Sequence, residues 1–256
     1  MSKPNPRKRS VRRQSQLKQG SSANGLIWLW GSHAVLAAIN NPNRSIHRLV
    51  ATSNAANRLS IDQAETLSAK EIDQLLPAGA VHQGAAALVD PLATIDLEEL
   101  IENGLRRITV LDQVADPHNL GAIFRSAAAF GFGGVVLQTR HAPEITGVAA
   151  KAAAGGIEIV SECRVVNIAR SLDALTEAGF TVIGLTGDGV SNFASLIDSN
   201  DKIAVVLGAE GAGLRPAVAK ACSCLARIPM SPAMESLNVS NAAAIAFNLA
   251  AADDYS

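Results

Sequence analysis

From Val205 to Asn241 the chain reads VVLGAEGAGLRPAVAKACSCLARIPMSPAMESLNVSN. An apolar run ends in a Gly-rich turn carrying one carboxylate, Glu210. A helix-like segment follows, and a second apolar run, Leu225 to Ile228, opens into Pro229 to Ala233 and then Glu235-Ser236-Leu237-Asn238. Two loops therefore follow two strands. If both strands belong to one parallel sheet, both loops emerge at the same edge, where open α/β sheets place their ligands. Glu210 is the only acidic residue between Asp201 and Glu235, and its neighbours are Gly and Ala. Such a carboxylate is either solvated on a turn or held for a purpose, since buried Glu almost always has a partner.

Working outward, strand and helix patterns alternate. Strands are expected at Ile108–Leu111, Val135–Leu137, Ile157–Val160, Phe180–Leu185, Ile203–Leu207 and Leu225–Ile228. Helices are expected at Asn119–Phe130, Ile145–Ala154, Asn167–Ala178, Leu214–Cys222 and Ser236–Ala252. This spacing predicts an α/β fold with a mostly parallel sheet and helices on both faces, beginning at Arg106 and running to the C-terminus.

Residues 92–105 read as a linker containing a short helix with Asp96 at its start and Gly104 at its end. Before it, residues 26–91 read as a small α/β domain. A helix around Val35–Ile39 ends at Asn40-Asn41-Pro42, a strand spans Arg48–Thr52, and Ser68-Ala-Lys-Glu71 is a capping-box pattern opening a helix through Leu76. A last strand, Ala85–Val89, follows His82 and Gln83, which are either substrate contacts or ordinary turn residues.

Residues 1–25 hold seven basic residues, Arg7, Arg9, Arg12 and Arg13 among them, and no acidic one. The remainder has 15 basic against 23 acidic residues, so a net charge of −1 hides a strong asymmetry. With so few apolar side chains the arm is expected to be disordered when free, and its charge suits a nucleic-acid tether or a solubilising tail.

With 48 % hydrophobic and 18 % charged residues the rest is globular in composition. The sequence has no apolar run near the ~20 residues of a membrane helix, and charges stand where a signal peptide is apolar, so a cytoplasmic location is expected. Cys163, Cys222 and Cys224 form no paired framework, and the Cys222-x-Cys224 pattern lacks the further ligand pair of a zinc site; reduced thiols and no metal are expected.

Two further constellations could carry chemistry. In LDQVADPHNLGAIFRS, residues 111–126, a strand ends, Asp116-Pro117 turns the chain, Asn119 is placed to cap a helix, and Arg125 follows among apolar neighbours. Such an Arg either reaches solvent at the helix edge or finds an anion, Glu210 or a phosphate. In the loop before the last helix, Ser236 and Asn238 are caps or ligands. The Gly-rich strings at Gly184–Gly189 and Gly208–Gly213 lack the G-x-G-x-x-G order, which disfavours a dehydrogenase.

Taken together, NLGAIFR at 119–125, LGAEGAGL at 207–214 and IPMSPAMESLNVS at 228–240 resemble the three motifs of the SpoU (TrmH) family, RNA 2′-O-ribose methyltransferases of the SPOUT superfamily. GSHAVLAAI at 31–39 and VHQG at 81–84 resemble the small substrate-binding domain of the bacterial 23S rRNA guanosine-2′-O-methyltransferases. The resemblance implies a C-terminal trefoil knot, an S-adenosylmethionine (SAM) site around Thr186, Gly187, Gly208, Ile228 and Leu237, and a homodimer sharing its active sites. It implies catalytic and RNA-facing roles for Asn119, Arg125, Glu210, Ser236 and Asn238, RNA as partner, and no metal. Lys151-Ala-Ala-Ala-Gly-Gly156 departs from the sequence usual in relatives. The expected reaction is SAM-dependent 2′-O-methylation of a guanosine in 23S rRNA. The alternatives are the same chemistry on tRNA, or a non-catalytic RNA-binding factor of ribosome assembly.

Overall fold

The computed structural model describes residues 25–140, 142–197 and 202–252. The basic arm, with Arg7, Arg9, Arg12 and Arg13, lies outside them. The chain divides into two compact units, one ending at Pro91 and one beginning at Leu92.

The first unit carries a four-stranded sheet in the order β1-β4-β2-β3. Its strands are β1 (Ile27–Trp30), β2 (Ile46–Ala51), β3 (Glu65–Thr66) and β4 (Ala85–Val89). β4 is antiparallel to both neighbours, and β2 and β3 run parallel. Helices α1 (Ser32–Asn40), α2 (Ser53–Leu59) and α3 (Ala69–Leu75) connect them. The expected capping box is formed: Ser68 Oγ accepts from Glu71 N while the Glu71 carboxylate accepts from Ser68 N at 2.8 Å. β1 and α2 were not anticipated. β1 has four residues, too short for a period, and α2 owes its start to the Thr52 hydroxyl, which accepts from Ala55 N.

The second unit holds a seven-stranded sheet in the order β7-β6-β5-β10-β8-β11-β9. The strands are β5 (Arg107–Asp112), β6 (Gly134–Gln138), β7 (Ser161–Val165), β8 (Phe180–Leu185), β9 (Ser191–Asn192), β10 (Lys202–Gly208) and β11 (Cys224–Arg227). Every pairing is parallel. Helices α4 (Leu97–Glu102), α5 (Pro117–Ala129), α6 (Gly147–Ala153), α7 (Ile168–Glu177), α8 (Pro216–Ala221) and α9 (Val239–Ala251) complete it. A parallel sheet covered on both faces needs near-continuous apolar strands, and β5 is buried along its whole length.

Several expectations need correction. The segment 92–105 is no free linker, because Leu97 and Leu100 of α4 are buried in the core beside Ile108, Val136 and Leu175. Ile157–Val160 is not a strand. Gly156–Glu158 forms a 3-10 turn, and β7 follows it. The physical reason lies in Ala154 and Gly155, both left-handed, which fold the backbone down onto α5; a Cβ at Gly156 would stand 2.7 Å from the Phe124 carbonyl oxygen. The amides of Glu158 and Val160 are then used inside the turn. α8 begins at Pro216 rather than Leu214, since the residue before a proline is held extended. α9 begins at Val239, with Asn238 as its cap, so Ser236 and Leu237 belong to the loop.

Candidate active site

Asp112, Gly208 and Arg227 end neighbouring parts of the sheet at its C-terminal edge, so the loops after β5, β10 and β11 open together. The β5 loop turns at Asp116, whose carboxylate accepts from His118 N at 2.9 Å and caps α5, with Pro117 in the first helical position. Asn119 is therefore not the cap, contrary to expectation. It lies within the first turn of α5, where its side chain is buried and not used for capping.

The Asn119 amide meets Glu210 and Asn238. Asn119 Nδ2 donates to Glu210 Oε1 at 3.0 Å, and Asn238 Nδ2 donates to Asn119 Oδ1 at 3.0 Å and to Glu210 Oε1 at 2.5 Å. Asn238 Oδ1 meanwhile accepts from Ser240 N, Ser240 Oγ and Asn241 N at the start of α9. The acceptor side of Asn238 is thus occupied by a helix N-terminus, which obliges its amide nitrogen to face the carboxylate. Glu210 Oε2 makes no hydrogen bond among the described residues.

Glu210 owes its place to a tight turn. Ala209 and Gly213 pair with each other, with N-to-O distances of 3.2 and 2.9 Å. A Cβ on Gly208 would lie 2.2 Å from the Gly213 carbonyl carbon, so glycine is required for this closure.

Beside the cluster lies a cavity of about 560 Å³ lined by residues of the loops after β8, β10 and β11. Its walls include Thr186, Gly187, Gly208, Ile228 and Leu237, the five expected cofactor residues, together with Glu210, Ser236 and Asn238. The size falls within the ~300–1,000 Å³ usual for small-molecule sites. Leu185, Leu207 and Val239 add apolar wall, and the charged residues in the lining, Glu210 and Glu235, are both acidic. These features fit SAM: apolar and backbone surface for adenine, and carboxylates for a sulfonium and an ammonium. The loop after β8 is held by Arg227 Nη1, which donates to the Gly189 carbonyl at 2.8 Å, and Thr186 Oγ1 donates to Asp188. That bond holds the Asp188 carboxyl below its ordinary pKa.

Arg125 is not brought to Glu210. It is exposed on α5 and forms no ion pair among the described residues. His82 and Gln83 lie in the first unit. His82 Nδ1 accepts from Gly84 N at 3.0 Å and its Nε2 stands 3.3 Å from Asp73, while Gln83 Oε1 accepts from Ser32 N at 3.1 Å. Among the described residues no helix is long and apolar enough to cross a membrane, and none group as three or more His, Cys, Asp or Glu able to hold a metal.

Sequence reasoning missed Asp112, Gln138 and Arg215, which interlock at the ends of β5 and β6. The signal available was a charged residue at the end of an otherwise apolar strand run.

The SpoU rRNA Methylase family model matches residues 106–248, and a model for RNA 2′-O ribose methyltransferase substrate binding matches residues 28–94. A protein of Synechocystis sp. named an uncharacterized tRNA/rRNA methyltransferase is 36 % identical over 236 residues, 85 % of this chain and 60 % of that protein's length. A protein of Staphylococcus haemolyticus named for the TrmH family of tRNA/rRNA methyltransferases is 36 % identical over 186 residues, 71 % of this chain and 74 % of its own. In fold, the SpoU methyltransferase AviRb of Streptomyces viridochromogenes, solved with AdoMet, superposes with a TM-score of 0.74 at 22 % identity, covering 99 % of this chain and 95 % of that one. More than half of the chain lies inside the methylase match, and that span holds every residue of the cavity and its rim: the chain belongs to the SpoU methylase family.

Proposed function

We propose that this chain transfers a methyl group from SAM to a ribose 2′-hydroxyl of RNA, with a guanosine of 23S rRNA as the substrate. The observation that carries the reading is the hydrogen-bonded Asn119–Glu210–Asn238 cluster, two of whose members, Glu210 and Asn238, line a cavity suited to SAM. SAM supplies an electrophilic methyl group on a cationic sulfur. The chain's own task is to hold a hydroxyl in line with it, and alignment of this kind is itself a large part of catalysis.

Asn238, locked by Glu210 and by the buried Asn119 behind it, presents a fixed amide group at the rim. Ser236, exposed in the preceding loop, adds a hydroxyl there. Arg125, exposed and without a carboxylate partner among the described residues, grips the phosphate next to the target ribose. An arginine keeps its proton, so phosphate or water accepts the one leaving the hydroxyl. A homodimer in which Arg125 of one protomer faces the cavity of the other accounts for its separation from Glu210. We further read the loops after β8, β10 and β11 as threaded into the trefoil knot that the resemblance implies. His82, Gln83 and the basic arm contribute RNA contacts, and the cell compartment is the cytoplasm.

Methyl transfer from labelled SAM to RNA from a strain lacking the gene, fractionated by size, tests the reading. Label in large-subunit rRNA, lost with Arg125→Ala, supports it. Label confined to tRNA would replace the substrate, which the names of the relatives leave open. Bound SAM with no label in any RNA or ribosomal particle would favour an RNA-binding assembly factor.

A further inference from the structure

Asp112 and Arg215 take none of the roles given to the cavity residues, yet they stand in the chain at the ends of the two loops that carry Asn119 and Glu210. Asp112 ends β5 and is 0 % exposed. A carboxylate so deeply buried survives only if it is paired and fully hydrogen bonded. Both of its oxygens go to one residue: Oδ2 accepts from Arg215 N at 2.9 Å, and Oδ1 accepts from Arg215 Nε at 2.7 Å and lies 2.5 Å from Nη2. Nη2 also donates to Gln138 Oε1 at 3.1 Å, and Gln138 Nε2 donates to the Val166 carbonyl at 3.3 Å. The guanidinium is thereby fixed across the ends of β5 and β6.

The position of this pair in the chain gives it a consequence. Arg215 stands two residues after Gly213, which closes the turn that carries Glu210, and Asp112 directly precedes the loop that leads to Asn119, leaving β5 through Gln113 in a left-handed conformation (φ 64°). One ion pair, its carboxylate buried and its guanidinium partly exposed, ties the feet of the two loops whose tips meet in the Asn119–Glu210 hydrogen bond.

We propose that Asp112 and Arg215 are positioning residues that set the Glu210 turn, and with it one wall of the cavity, in the geometry that binds the methyl donor. This rests on the reading of the cavity as the SAM site. Neither residue touches the donor; Arg215 acts through the turn and Asp112 through Arg215. Lysine at 215 keeps the charge but not the planar fork that reaches Asp112 and Gln138 together.

The test is calorimetric titration of SAM into the full chain, with a melting temperature for each variant. Arg215→Gln, Arg215→Lys, Asp112→Asn and the double variant are compared with Arg164→Gln. That control breaks the half-buried Arg164–Glu162 pair (2.5 Å) on β7, an edge strand of the same sheet. Arg164→Gln is expected to lower the melting temperature and leave the SAM Kd unchanged. Arg215→Gln raises the Kd about tenfold or more, as small misplacements of a site do. Arg215→Lys lies between, and the double variant binds no more weakly than Arg215→Gln alone. Wild-type affinity in Arg215→Gln, or additive losses in the double variant, would overturn the positioning role. If Arg215→Gln does not fold, an unchanged Kd in Arg215→Lys overturns it equally. Failure of the wild-type chain to bind SAM would instead remove the reading of the cavity.

Discussion

At the scale of single residues, Asn238 does two things with two ends of one side chain. Its oxygen caps α9 and its nitrogen binds Glu210. Asn238→Asp keeps the cap and sets a second carboxylate against the first. The expected result is a helix content close to wild type, a lowered melting temperature and methyl transfer reduced about 100-fold, because the amide donation to Glu210 is lost and two carboxylates sharing a site repel. Circular dichroism and a labelled-SAM assay on the same preparation check both halves. The thiols behave oppositely to reactive ones: burial pushes both Cys163 and Cys222 up to about 12. Disulfide reagents at pH 8 are therefore expected to leave both unlabelled until the chain unfolds. An unfolded thiol ionises near 9 while the folded one stays protonated. The stability these thiols contribute is complete below pH 9 and is lost as pH rises from about 9 towards about 12, which urea titrations across that range would detect. What the sequence made legible at this scale was identity: Glu210 stood alone among Gly and Ala. What it could not show was partnership, since Asn119 and Glu210 are 91 positions apart.

At the scale of elements, α5 and α6 pack through a glycine. A Cβ on Gly121 would stand 2.2 Å from the Ala149 carbonyl oxygen and 2.7 Å from Ala152 Cβ. Gly121→Ala is expected to destabilise by about 1–3 kcal/mol, the usual cost of overpacking, read from a denaturation midpoint. Ser68→Ala, which removes the capping box of α3, costs about 1 kcal/mol. Helices and parallel strands of the second unit were readable because their apolar runs and caps are local. Ile157–Val160 was misread for the converse reason: its composition suits a strand, but the left-handed Ala154 and Gly155 direct the chain into a turn against α5.

At the scale of the whole molecule, the boundary between the two units lies at Leu92 rather than Arg106, because α4 supplies Leu97 and Leu100 to the second core. A chain starting at Arg106 loses both side chains from that core. It is expected to be less stable than one starting at Leu92 by about 2–5 kcal/mol or more, the cost of one large core truncation, measurable by urea unfolding of the two fragments. The alternation of strands and helices announced the sheet, but not its order, which brings β10 between β5 and β8 and so joins loops far apart in the chain. That order is what assembles the cavity and the Asn119–Glu210–Asn238 cluster. The central claim, that this site methylates a ribose hydroxyl of RNA, is tested most directly by alkaline hydrolysis of the labelled RNA product. A methylated 2′-oxygen cannot attack its own phosphodiester, so the account predicts label in alkali-resistant dinucleotides; label released wholly as mononucleotides would place the methyl group elsewhere and contradict it.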